Sequence, residues 1–228
     1  MPLSQFDPFA HAYGPDLEVP GYLQLLNCHG SGVNVVLDRI QIALSTDRPQ
    51  AWIDGIFADP NWRPHLVGAA ALLLDERRVL NCSPMWEAID RGSWVTPQLV
   101  ATAYFTDPAF QDHVSRRLEN RCEVSVPTGL HPLAQHTATG PANRVQRSAK
   151  LLSSLMSIGR RVPSLGPVVD RFSRDPDTRT LLEQDIDMSG QLAVAWCERV
   201  VTVFSARGCT LSLDLGVHAH TRNILLVD

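Results

Sequence analysis

His218 and His220 stand two residues apart in the segment His218-Ala219-His220-Thr221-Arg222-Asn223. On an extended chain both imidazoles point to one side and can meet one ligand. A metal would want a third and a fourth donor, and no Cys, Asp or Glu stands at a convincing spacing, so no metal site is expected. A second group is basic. Arg144, Arg147 and Lys150 recur every three residues, which places them on one helical face, and Arg160 and Arg161 follow. Residues 141–180 carry a net charge of +5 against −9 for the remainder, within a total of −4. Such a face can hold phosphates or an acidic partner, or it can pair with the acidic part of the same chain. No aromatic residues interleave with it, which argues against single-strand stacking. The third group, Asn27-Cys28-His29-Gly30-Ser31-Gly32, places Cys beside His but lacks the Gly-Lys-Ser/Thr ending of a phosphate loop, and reads as a turn between helices.

The elements that must position these residues are mostly helical. Asp59-Pro60, Ser83-Pro84, Thr96-Pro97, Asp107-Pro108 and Asp175-Pro176 each pair a good helix cap with proline. Proline is tolerated in a first turn because its missing N–H would be unpaired there. Apolar residues at helical spacing predict helices over 33–44, 49–57, 64–74, 97–105, 108–118, 144–158, 166–172 and about 189–206. The 64–74 stretch is apolar nearly all round and is expected to be central. Gly208 stands where a helix-ending glycine belongs.

Two internal echoes are present. A shift of 33 lays Pro64-His65-Leu66-Val67 over Pro97-Gln98-Leu99-Val100, and a shift of 48 lays Phe57-Ala58-Asp59-Pro60-Asn61-Trp62 over Phe105-Thr106-Asp107-Pro108-Ala109-Phe110. Residues 50–120 resemble HEAT-like repeats, which implies stacked helical hairpins. An irregular helical bundle is the other reading. The expected fold class is therefore mainly α, an irregular bundle or a short HEAT-like α-solenoid. Residues 1–123 would form one helical domain and residues 124–140, rich in Pro, Gly and Thr, a loop or linker. Residues 141–228 would form a helical subdomain ending in a small β-hairpin, because Leu211, Leu213, Leu215 and Val217 alternate with small or polar residues and Ile224 to Val227 supply a second strand.

Residues 196–228, ending Gly216-Val217-His218-Ala219-His220-Thr221-Arg222-Asn223, also resemble the Glu-Ala-His-x-Gln-Asn region of siderophore synthetases that act without a peptide template. His220 and Asn223 match that motif's His and Asn, while His218 stands for its Glu and Arg222 for its Gln. The resemblance implies ATP-dependent joining of a carboxylate to an amine or alcohol.

Composition bounds the rest. The 228 residues are 44% hydrophobic and 19% charged, ordinary for a globular protein. Nineteen of the twenty basic residues are Arg, which fits GC-rich coding better than any anion-binding role. The five cysteines form no Cys-x-x-Cys pair, and the first residues lack the basic and apolar regions of a signal peptide. A reducing, cytoplasmic setting is expected, with no membrane partner because no apolar run approaches the roughly 20 residues a span needs. No Gly-x-Gly-x-x-Gly, His-Glu-x-x-His or Gly-x-Ser-x-Gly motif is present, so no cofactor is expected. Nucleic acid is disfavoured by the net acidity. The leading expectation is a protein-binding adaptor that is not an enzyme. The alternative is a protein binding a small polyanion, or a ligase-like remnant, using His218, His220 and Asn223 with Arg144, Arg147, Lys150, Arg160 and Arg161.

Overall fold

Amphipathic periods and Pro-bearing starts become rods, and the apolar stripes of the rods decide their order. A computed structural model describes residues 9–13, 18–30, 32–75, 79–120, 141–209 and 211. Among them are eleven α-helices and no strand. They are α1 (Gly21–Asn27), α2 (Gly32–Leu44), α3 (Pro49–Ala58), α4 (Trp62–Leu74), α5 (Ser83–Asp90) and α6 (Thr96–Thr106). After these come α7 (Phe110–Glu119), α8 (Pro141–Gly159), α9 (Gly166–Arg174), α10 (Pro176–Leu182) and α11 (Ser189–Ser205). Short 3-10 turns cover Phe9–Tyr13 and Pro163–Leu165. The fold is mainly α. The expected C-terminal hairpin and the 124–140 linker lie outside the described residues.

Two helices are buried on every side. In α4 each residue from Pro64 to Leu74 is buried, and in α6 each residue from Thr96 to Thr106. A helix without a polar face must be wrapped by others. Accordingly α4 packs on α1, α2, α3, α5 and α6, and α6 packs on α4, α5, α8 and α11. The hydroxyls this buries are satisfied locally. Thr102 donates to the Gln98 carbonyl at 2.9 Å and Thr106 to the Thr102 carbonyl at 3.0 Å. Gly68 lets α3 and α4 approach, since a Cβ there would meet Ile56 Cγ2 and Phe57 Cζ, each at 2.8 Å. Helices on both sides of residues 121–140 share this interior, because α8 and α11 pack on α6 and on each other. The buried apolar residues from Phe9 to Cys209 form one cluster. Far in sequence but near in space, Trp196 Nε1 donates to the Leu25 carbonyl at 3.2 Å, tying α11 to the end of α1.

The five expected caps divide into three kinds, for Ser83 and Thr96 stand inside the first turns of α5 and α6, after Cys82 and Val95, and cap neither helix with a side chain. Asp175 opens α10 as expected, its carboxylate accepting from Thr178 N at 2.8 Å. Asp59 and Asp107 instead close α3 and α6, and the following helices begin at Trp62 and Phe110 rather than at the prolines. The reason is local. Each aspartate accepts from the N–H two residues on, Asn61 at 2.6 Å and Ala109 at 2.9 Å, which makes an Asx turn. The proline after it disfavours further helix at the Asp. Residues 28–30 form the turn between α1 and α2, with Cys28 buried there and its thiol pushed up to about 12 by burial. The same cause holds Cys197 at about 12, so burial keeps both thiols protonated.

Candidate functional site

A buried histidine ties two neighbouring turns together. His65, on α4 and 3% exposed, has Nε2 at 2.8 Å from the Asp59 carbonyl and Nδ1 at 2.8 Å from Ser93 Oγ. The carbonyl can only accept, so Nε2 carries the proton and Nδ1 accepts from the Ser93 hydroxyl. Burial drives the imidazole down to about 4, the Asp59 bond opposing and the Arg91 charge reinforcing that shift. Arg91 adds a second tie across the same gap by donating to the Phe57 carbonyl. Thus the α3–α4 turn and the α5–α6 turn are held at fixed separation.

Each turn carries a tryptophan. Trp62 is the first residue of α4, set by Asn61, whose side chain caps Arg63 N at 3.1 Å. Trp94 follows Gly92 and Ser93 at the end of α5. Gly92 adopts φ +76°, a conformation that favours glycine. It closes the helix through Gly92 N to the Ile89 carbonyl (2.8 Å) and Ser93 N to the Ala88 carbonyl (3.1 Å). The two indoles meet at 4.8 Å between centroids, tilted by 41°, and Tyr22 of α1 sets its ring edge-on to Trp62 at 5.7 Å. Trp94 is 54% exposed. The Arg63 guanidinium lies 5.0 Å from the Trp62 centroid and 5.4 Å from that of Tyr22. Lys150 Nζ lies 5.5 Å from the Trp94 centroid and 2.9 Å from Asp187. The two neighbours of Asp187, Ile186 and Met188, are themselves exposed. Met188 holds φ +51° without being glycine, a conformation that stores strain. The outcome is an exposed aromatic and aliphatic face laced with cations and borne on stiff helix ends.

The basic residues singled out from the sequence divide around this face. Lys150, itself buried, sits beside Trp94, and Arg147 reaches the α5–α6 turn by donating to the Arg91 carbonyl at 3.3 Å. Arg144 is exposed. Arg160 and Arg161 go elsewhere, to Ser173 Oγ at 3.2 Å and to Glu198 at 3.0 Å. His218, His220 and Asn223 lie outside the described residues. The aromatic companion of the basic helix does exist, but Trp94 comes from another element, which spacing along one helix cannot reveal.

A second feature is a cleft of about 220 Å³ lined by Cys82, Trp86, Thr106, Asp107 and His113 among others. Trp86 Nε1 donates to Asp107 Oδ2 at 2.6 Å, and the Trp86 ring stacks on His113 at 4.9 Å. A thiol–imidazole couple would need a ring nitrogen free for the sulfur. Here His113 Nδ1 accepts from Arg117 at 3.0 Å, while Nε2 faces Asp107 Oδ2 at 3.8 Å. Arg117 is itself fixed by two 2.7 Å bonds to Asp90. The Cys82 thiol donates toward Thr106. Burial, more than its charged neighbours, lowers the His113 pKa. This is a brace, not a nucleophile. Its sequence signal lay in the 48-residue echo, which extends from Asp59-Pro60 and Asp107-Pro108 to His65 and His113.

No cluster of three or more metal-ligating side chains occurs among the described residues, and no helix among them is long and apolar enough to cross a membrane. Compared with known proteins, the chain matches no family model, no curated protein and no solved structure.

Proposed function

We propose that this chain is a protein-binding adaptor module that works through the Trp62–Trp94 face. The observation that carries the reading is Trp94, more than half exposed yet set in tilted contact with Trp62 and fixed through Ser93 to His65. Trp, Tyr and Arg are the residues that dominate binding energy at interfaces. A pre-set pair in mutual contact loses little conformational entropy when a partner docks. The strained Met188 beside Asp187 fits the same picture, because strain persists where a surface is used.

The scaffold in this proposal is a short HEAT-like stack. It is supported by the packing of α3 on α5 and of α4 on α6, the pairing that the 33-residue echo implies. The C-terminal hairpin and a cytoplasmic setting belong to the same proposal, the latter supported by the free thiols of Cys28, Cys82, Cys197 and Cys209.

Affinity purification of the full chain from its native cells tests the reading. A stoichiometric protein partner should be retained by Ile42→Ala, a change at a 72% exposed residue on α2, and lost by Trp94→Ala. Equal recovery with both variants, or a co-purifying small ligand with no protein partner, would overturn it.

A further inference from the structure

We infer that the segment received by this face is an acidic–apolar peptide, whose carboxylates meet Arg147 and Arg63 while an apolar side chain packs on Trp94 and Trp62. The inference rests on the adaptor reading above and adds the chemistry of the partner.

Charge is the argument. Arg147 is half-buried, and its one hydrogen bond among the described residues is the 3.3 Å contact with the Arg91 carbonyl. No carboxylate among them lies within ion-pair distance of Arg147, Arg144 or Arg63. Burial lowers the Arg147 pKa, and no carboxylate among the described residues offsets it. Elsewhere in the fold cations do find acids, as with Arg117 on Asp90, Arg161 on Glu198 and Arg207 on Asp38. Arg63 thus lies over Trp62, and Arg147 reaches the turn that carries Trp94, on a chain whose net charge is −4. A guanidinium presents a planar fork that suits carboxylates. Ile186 and Met188, at 76% and 59% exposure, extend the apolar part of the surface.

Nucleic acid fits less well. Outside residues 141–180 the chain carries −9, which repels a long polyanion.

Phage-displayed random 16-residue peptides selected on the full chain test this. Enriched sequences should place Asp or Glu beside Leu, Phe or Trp. A synthetic peptide of that consensus should lose about tenfold or more in affinity with Arg147→Gln, and again with Trp94→Ala. Arg63→Gln, at an exposed position, gives an independent charge deletion. Peptides without acidic residues, lost in Trp94→Ala but indifferent to both Arg changes, would sink the acidic partner and keep the adaptor face. Peptides indifferent to Trp94→Ala would sink both. Failure to enrich any peptide, or tighter binding of a twenty-residue oligothymidine than of the consensus peptide, also overturns the inference.

Discussion

Protonation of the unfolded chain at His65 should cost the fold about 3 kcal/mol between pH 6.5 and pH 4, and His65→Gln should remove that contribution. The sign follows from the two end states. In the folded chain His65 stays neutral down to about pH 4, whereas unfolded imidazole has its ordinary value near 6.5. Across that window the unfolded state binds the additional proton, so acid favours unfolding, and above it the effect vanishes. Gln keeps an amide donor for the Asp59 carbonyl but has nothing to titrate. Urea unfolding at a series of pH values would check this, with the slope between the two limits as the readout. An unchanged slope in His65→Gln would mean that another group carries the acid sensitivity.

Asp107→Ala costs about 3 kcal/mol, as the sum of two losses at one residue. The Trp86 indole N–H, which makes a buried 2.6 Å bond, is left without its acceptor, worth about 1–3 kcal/mol. The Ala109 N–H loses its turn-closing partner, worth about 1 kcal/mol. Asp107→Asn keeps one carbonyl acceptor and should recover roughly half. Chemical denaturation measures both. A loss under about 1 kcal/mol for the Ala variant would mean that Trp86 is held by packing with His113 and Arg117 and not by the carboxylate.

Much of the helical layout was legible because it depends on local periods. The apolar faces of α2, α3, α4, α6, α7, α8, α9 and α11 each recur with helical spacing, and the all-round apolar character of 64–74 placed α4 at the centre. Helix α1, with seven residues, is too short for a period to stand out, and α5 and α10 announced themselves only through Ser83-Pro84 and Asp175-Pro176. The Asp59 and Asp107 caps were misplaced because an Asx turn and a helix N-cap use the same Asp-Pro pair. The candidate site was largely hidden. Lys150 and Arg147 were legible as a basic face, but Trp62, Trp94, Tyr22 and Arg63 come from three other elements that tertiary packing alone assembles. One local clue existed. Trp94 sits in a Gly92-Ser93-Trp94 turn, where a large ring is poorly placed unless something covers or uses it.

The stability and binding arguments meet at one bridge. His65 holds the Asp59 turn against Ser93, and those turns present Trp62 and Trp94. A photo-crosslinking phenylalanine derivative placed at position 94 of the full chain, and in a parallel strain at position 42, tests the claim that this face is where a partner docks. Irradiation in native cells should join position 94 to one discrete protein while position 42 gives none. Crosslinks of equal yield and identity from both positions, or none from position 94, would contradict it.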